Sequence, residues 1–176
     1  MSRRKGPPGR ETAAATSRTR RTWYGYGSLA RSEKSGFGVF LHDTTRIFAE
    51  VSVFSLPTLV YIMTVPPAGP LDAEATGLLA WLTMTLVGTL IRGGWITPLL
   101  SATPGWVSLS PVLLLLRLGY FNVTMATAAF GGLTLGNAVW PVVDVVWPVV
   151  GVGWAIGSAA LAILLFPRVA QAVAAR

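Results

Sequence analysis

The chain has no cysteine and a single histidine, His42, among its 176 residues. Without cysteine, disulfides, thiolate metal sites and cysteine nucleophiles are excluded. One histidine is too few for a histidine-based metal centre, and the phosphate-binding pattern GxxxxGK is missing. No apolar segment carries the pair of carboxylates that acid–base catalysis commonly uses. The sequence therefore predicts a protein without a metal, a cofactor or an enzymatic activity.

Charge is scarce as well. Charged residues make up 12% of the chain and hydrophobic residues 52%, whereas a soluble domain has roughly 25% charged residues. So few charges could not cover a surface that faces water, so most of the surface must face lipid. This composition predicts an all-α integral membrane protein.

The charge that is present lies mostly at one end of the chain. Residues 1–46 contain ten basic residues against three acidic ones, and residues 47–176 contain four of each. Residues 1–22 have no apolar periodicity and include Gly6-Pro7-Pro8-Gly9, which is typical of disorder. The sequence predicts a mostly disordered basic tail over residues 1–46 and a transmembrane bundle over residues 47–176.

Four apolar runs predict four transmembrane helices. A helix of about 20 residues crosses the hydrocarbon layer. Proline and glycine mark the expected ends of the runs, at Val65-Pro66-Pro67, Arg92-Gly93-Gly94, Gly136-Asn137 and Pro167. The predicted spans are 47–65, 75–91, 111–135 and 141–166.

The connection between the second and third spans is itself apolar. Residues 95–108 are interrupted by Pro98 and Pro104, so they are too broken for a span. We expect an interfacial or re-entrant segment, with Trp95 and Trp106 among the lipid headgroups.

Basic residues also predict the orientation. With four spans, the tail, Arg92, Arg168 and Arg176 share one side of the membrane. The other two connections contain no Lys or Arg. The positive-inside rule therefore predicts that both termini lie on the cytoplasmic or interior side.

Three charges lie within the predicted spans. Glu50 and Arg117 are at similar depth near the cytoplasmic side, so we expect them to form an intramembrane ion pair, with Arg92 as the rival partner of Glu50. Asp144 lies near the opposite side. The alternative interpretation is that Glu50, Arg117 and Asp144 form a proton or ion path.

Two glycine pairs have a spacing of four residues, Gly132 with Gly136 and Gly153 with Gly157. Small residues at this spacing let helices approach closely. We expect helix packing at all four glycines, within the bundle or, alternatively, between copies of the chain.

The tail suits an anionic partner. Its arginines are interleaved with Trp23, Tyr24 and Tyr26, and such a segment can bind nucleic acid or an anionic leaflet. The basic residues could also serve only to fix the orientation. The residues expected to contact a polyanion or lipid headgroups are Arg3, Arg4, Lys5, Arg10, Arg18, Arg20, Arg21, Arg31 and Lys34.

Together these features predict a non-catalytic membrane protein. The favoured function is a structural or accessory subunit of a membrane assembly or a virion-like envelope. Its partners would be the lipid bilayer, further copies of itself or other membrane subunits, and an anionic lipid or nucleic acid at residues 1–34. The alternative is a small transporter or channel component that uses Glu50, Arg117 and Asp144.

Overall fold

All regular secondary structure in the described part of the chain is α-helical. A computed structural model describes residues 36–67, 71–101, 106, 110–139 and 147–174. Within these ranges there is no strand, and each of the four helices is long and apolar enough to cross a membrane. The predicted all-α fold with four candidate spans is confirmed. The helices are α1 (Gly36–Ile62), α2 (Ala73–Gly93), α3 (Pro111–Val139) and α4 (Trp147–Ala174).

α1 begins well before the predicted start of the first span at Ile47. Residues 36–46, which the sequence assigns to the mostly disordered tail, are therefore helical. Contacts with the end of α2 explain the difference, because the Phe40 ring packs edge-on against Trp95 and Asp43 pairs with Arg92. The rest of the predicted tail, residues 1–35, lies outside the described residues.

α1 also continues through Pro57. A proline inside a helix cannot donate a backbone hydrogen bond, and its ring clashes with the carbonyl group one turn earlier. Asn122 of α3 bridges this point. Its Nδ2 donates to Phe54 O (2.6 Å), and its Oδ1 accepts from Thr58 N (3.0 Å). A regular helix would pair this carbonyl and this N–H with each other. The side chain of Asn122 thus replaces a backbone interaction and joins α1 to α3.

α3 and α4 run past two of their predicted ends. α3 continues past Gly136. This glycine takes part in a close contact between helices, since a Cβ on Gly151 of α4 would lie 3.4 Å from Gly136 Cα. Pro167 lies inside α4 and is fully buried, so packing stabilises the helix there. At the other end of α4, residues 140–146 lie outside the described residues.

The four helices form two central and two flanking elements. α2 and α3 contact each other, and each also contacts both α1 and α4. Chain neighbours run antiparallel, so the start of α1, the end of α2, the start of α3 and the end of α4 share one end of the bundle. The largest buried apolar side chains of this core are Ile47, Val51, Met84, Ile91, Phe121, Met125, Ile163 and Phe166.

Of the four glycines predicted to pack, one pair does so. A Cβ on Gly132 would come 2.8 Å from Gly151 O, so glycine is required where α3 meets α4. Gly153 and Gly157 are exposed, and a Cβ on either would meet no atom within 4 Å in the part of the chain that the structure describes. The prediction of packing within the bundle is wrong for this second pair, because they lie on the face of α4 that is turned away from α2 and α3.

Candidate functional site

A buried ion pair joins α1 to α3 in the described part of the spans. The structure brings Glu50 and Arg117 together, with Arg117 Nε donating to Glu50 Oε1. The side chains are 8% and 0% exposed, respectively. Arg117 Nη1 also donates to Leu113 O (3.2 Å), one turn earlier in α3. The pair lies toward the bundle end where α3 begins, as its sequence positions indicate.

Two aromatic residues enclose the pair. Trp106 Nε1 donates to Glu50 Oε1 (3.0 Å), and its ring lies 5.3 Å from that of Phe166 in α4. The Arg117 guanidinium lies over the Phe166 ring, with Cζ 5.4 Å from the centroid. We name Glu50, Trp106, Arg117 and Phe166 the charge cluster.

The position of Trp106 corrects the sequence prediction. The sequence predicts Trp106 among the headgroups, but the residue is only 7% exposed and belongs to the core. The connection around it has no helical periodicity that would distinguish an inward from an outward tryptophan. Its role in the cluster is therefore visible only in the tertiary structure.

The geometry of the cluster suits a structural role. An isolated charge in hydrocarbon costs several kcal/mol, and a hydrogen-bonded partner offsets much of that cost. Here the carboxylate accepts from a guanidinium and an indole, and the guanidinium also reaches a backbone carbonyl. The cluster thus links α1, α3, α4 and the connection that precedes α3.

A second ion pair lies nearer the same end of the bundle. Arg92 Nε lies 3.3 Å from Asp43 Oδ1, and His42 Nδ1 lies 3.6 Å from the same oxygen. Asp43 is buried, whereas His42 is partly exposed. Arg92, considered from the sequence as a rival partner of Glu50, therefore joins the start of α1 to the end of α2.

The two ends of the bundle differ in charge. The end that carries both ion pairs also carries Arg46 and the exposed Arg168. At the opposite end, Asp72 caps α2 by accepting from Ala75 N (2.7 Å), and the exposed Glu74 follows. This separation agrees with the distribution of basic residues along the sequence.

A groove of about 230 Å³ lies between α3 and α4 on the outer surface. Two of its hydroxyls donate to helix carbonyls, Tyr120 Oη to Ala162 O (2.8 Å) and Ser158 Oγ to Trp154 O (2.7 Å). In the described ranges no group of three or more His, Cys, Asp or Glu residues could hold a metal ion. The groove is lined by Tyr120, Val123, Thr124, Thr127, Ser158 and Ala162.

The remaining predicted site residues lie outside the described part of the chain. They are Asp144 and the nine basic residues of the tail, from Arg3 to Lys34.

Comparison with known families places most of the chain in one of them. The model of a domain of unknown function, DUF8215, matches residues 34–173, and the chain belongs to this family. No curated protein and no solved structure matches the chain.

Proposed function

We propose that this member of the DUF8215 family is a structural or accessory subunit of a membrane assembly or a virion-like envelope, without catalytic activity of its own. The integral membrane character rests on the four candidate spans. The charge cluster supports the finer assignment. A transport path exposes its charged groups to water or cargo, whereas Glu50 and Arg117 are enclosed and used in helix packing.

The proposal includes an orientation. The bundle end with Arg46, Arg92 and Arg168 faces the cytoplasm or interior, because basic residues flanking spans are retained on that side. The end with Asp72 and Glu74 faces the opposite compartment. Both termini then lie where the basic tail can meet an anionic leaflet or a nucleic acid.

Reconstitution of the full chain in sealed liposomes tests the absence of transport. With a pH-sensitive dye inside and an imposed potassium gradient, we expect proton and potassium fluxes equal to those of protein-free liposomes. The variant that combines Glu50→Gln with Arg117→Leu should behave identically, and a channel-forming peptide serves as the positive control. A flux through the wild type that Asp144→Asn abolishes would overturn the proposal.

Binding by the tail is tested separately. In nanodiscs of neutral lipid, the full chain should bind DNA with an affinity that falls steeply as salt rises, because binding releases counterions. In nanodiscs with anionic lipid, the tail should bind the leaflet and DNA binding should weaken. The control changes the nine basic residues to glutamine, and equal binding by the control would contradict the assignment.

One observation favours the alternative of a small transporter or channel component. Ser55 Oγ in α1 and Thr85 Oγ1 in α2 are buried and have no hydrogen-bond partner in the described part of the chain. Buried hydroxyls of this kind are places where water or a proton could bind. The liposome experiment distinguishes this alternative from the subunit proposal.

A further inference from the structure

The connection that leaves α2 runs along the outside of α4. Leu99 N donates to Leu164 O (2.9 Å), and Gln171 Nε2 donates to Ser101 Oγ (2.7 Å). Leu164 and Gln171 both lie within the candidate span Pro148–Val173. Residues 95–101, which we name the α4 strap, are therefore attached to the span at two levels: Leu99 lies beside Leu164, one turn inside Arg168, and Ser101 lies beside Gln171, near the end of the span.

The bond to Leu164 explains how an irregular segment is tolerated at this depth. In hydrocarbon every backbone N–H and C=O group needs a partner within the protein. Leu164 O lies one turn before Pro167, where the proline ring disturbs the helical ladder. The Leu99 N–H donates to this carbonyl, so the bond satisfies a backbone group of the strap.

Leu100, at the tip of the strap, is unfavourable in water. Its φ is 55°, and it is the one non-glycine residue in the described ranges with a positive φ. The residue is 77% exposed, so little packing against the described residues offsets the strain. Glycine and asparagine are the usual residues at a left-handed position, and a leucine exposed there is solvated more favourably by an apolar medium than by water. Leu99 and Trp95 are exposed as well, so the strap presents three large apolar side chains outward.

We propose that the α4 strap is a re-entrant segment that inserts Leu99 and Leu100 into the acyl layer of one leaflet, so that the partner of this surface is lipid. The depth set by Leu164 and the exposed leucines support lipid over a protein partner. Trp95 suits the boundary between headgroups and acyl chains. Arg168, which lies in α4 between the two attachment points, is placed to meet a headgroup phosphate. The inference does not depend on the proposed function.

Fluorescent labelling of single cysteines tests the proposal, because the chain has no cysteine of its own. Leu100→Cys carries an environment-sensitive probe in nanodiscs that hold one copy of the full chain in phosphatidylcholine and phosphatidylglycerol. Leu115→Cys, 72% exposed in α3, is the lipid-facing control, and Glu74→Cys is the water-facing control. The probe at residue 100 should be quenched by doxyl-labelled lipid as at residue 115. Iodide should quench it about tenfold less than at residue 74, because ions are excluded from hydrocarbon.

Two outcomes overturn the proposal. Efficient iodide quenching at residue 100 would place the strap in water. Quenching by neither reagent would mean that protein covers the strap. Leu99→Cys, which leaves Leu100 in place, repeats the experiment with the backbone bond to Leu164 retained. Alkylation of the unlabelled thiol by a charged maleimide gives a second readout, expected to be about tenfold slower than at residue 74.

Discussion

At the scale of single residues, Glu50 and Arg117 depend on each other. Each is a charge inside a helix that is long and apolar enough to cross a membrane, and both are almost inaccessible. Removing one partner leaves the other charge buried without compensation, which usually costs more than removing both. The energetic role of the pair is therefore best measured by comparing single with double substitutions.

Arg117→Leu should lower the free energy of unfolding by about 3–5 kcal/mol, because it strands the Glu50 carboxylate. Combining it with Glu50→Gln should recover part of that loss, since the glutamine is neutral and can still accept from Trp106. Unfolding in mixed micelles of dodecylmaltoside and SDS measures both values. If the double variant loses the sum of the two single losses, the pair contributes no coupling energy.

Trp106 contributes an indole donor and a large buried ring. Trp106→Phe removes the hydrogen bond to Glu50 but keeps most of the ring, so it should cost about 1 kcal/mol. Trp106→Ala also leaves a cavity beside Phe166 and should cost about 3–5 kcal/mol. The same unfolding experiment checks the order. Equal, small losses in both variants would place Trp106 at the headgroups, as the sequence alone predicted.

At the scale of helices, the backbone hydrogen bonds of α1 are interrupted at one point, and a side chain of α3 stabilises the helix there. Pro57 interrupts the ladder of α1, and Asn122 pairs with the groups on both sides of the interruption. A regular helix at this position would not need the asparagine. The two residues should therefore be coupled in stability although they belong to different helices.

Asn122→Leu should cost about 1–3 kcal/mol, because it leaves Phe54 O and Thr58 N without their side-chain partners. In a Pro57→Ala background the cost should be smaller, since α1 can then form the Phe54–Thr58 backbone bond. A double-mutant cycle measures the difference. Identical costs in the two backgrounds would show that Asn122 does not act through the proline.

The glycines of α3 and α4 offer a matched comparison. Gly132→Ala should cost about 1–3 kcal/mol, because its methyl group meets the backbone of Gly151 at 2.8 Å. The methyl group of Gly157→Ala meets no atom of the described residues within 4 Å, so the substitution should be neutral or stabilise by up to about 1 kcal/mol through helix propensity. Thermal unfolding in detergent checks both. A destabilising Gly157→Ala in nanodiscs but not in dilute detergent would indicate an interface between copies.

At the scale of the whole molecule, the central position of α2 and α3 determines which charges can meet. α1 and α4 flank the central pair, and Arg117 of α3 contacts residues of both flanking helices, Glu50 and Phe166. Because chain neighbours are antiparallel, both ion pairs and Arg168 lie at one end. The opposite end carries Asp72 and Glu74.

Labelling of single cysteines by a membrane-impermeant reagent should show the same arrangement. Ser2→Cys and Arg176→Cys should react from one side of a sealed vesicle, and Ala68→Cys and Ala138→Cys from the other. The reason is that four crossings return the chain to the side on which it began. Reaction of Ala68→Cys and Arg176→Cys from the same side would contradict four spans.

The sequence by itself determined the fold class and the approximate spans. Lipid must solvate a chain with so few charges, and a helix satisfies its own backbone groups there, so hydropathy alone is informative. It also indicated the pairing of Glu50 with Arg117, because depth follows from counting residues along a helix. The sequence also predicted the end of α2 at Arg92-Gly93-Gly94. In the structure Gly94 adopts the left-handed conformation that commonly ends a helix, with φ 78°.

Only the tertiary structure decided which side chains complete these local features. The sequence predicts helix ends at Gly136 and Pro167. The burial of Pro167 and the close contact between helices at Gly136 outweigh these local preferences. Trp106 lies inward and Gly157 outward because the arrangement of the four helices decides which face of α4 and which side of the α2–α3 connection is buried. That arrangement depends on contacts between residues distant in the chain, which periodicity within one segment does not encode.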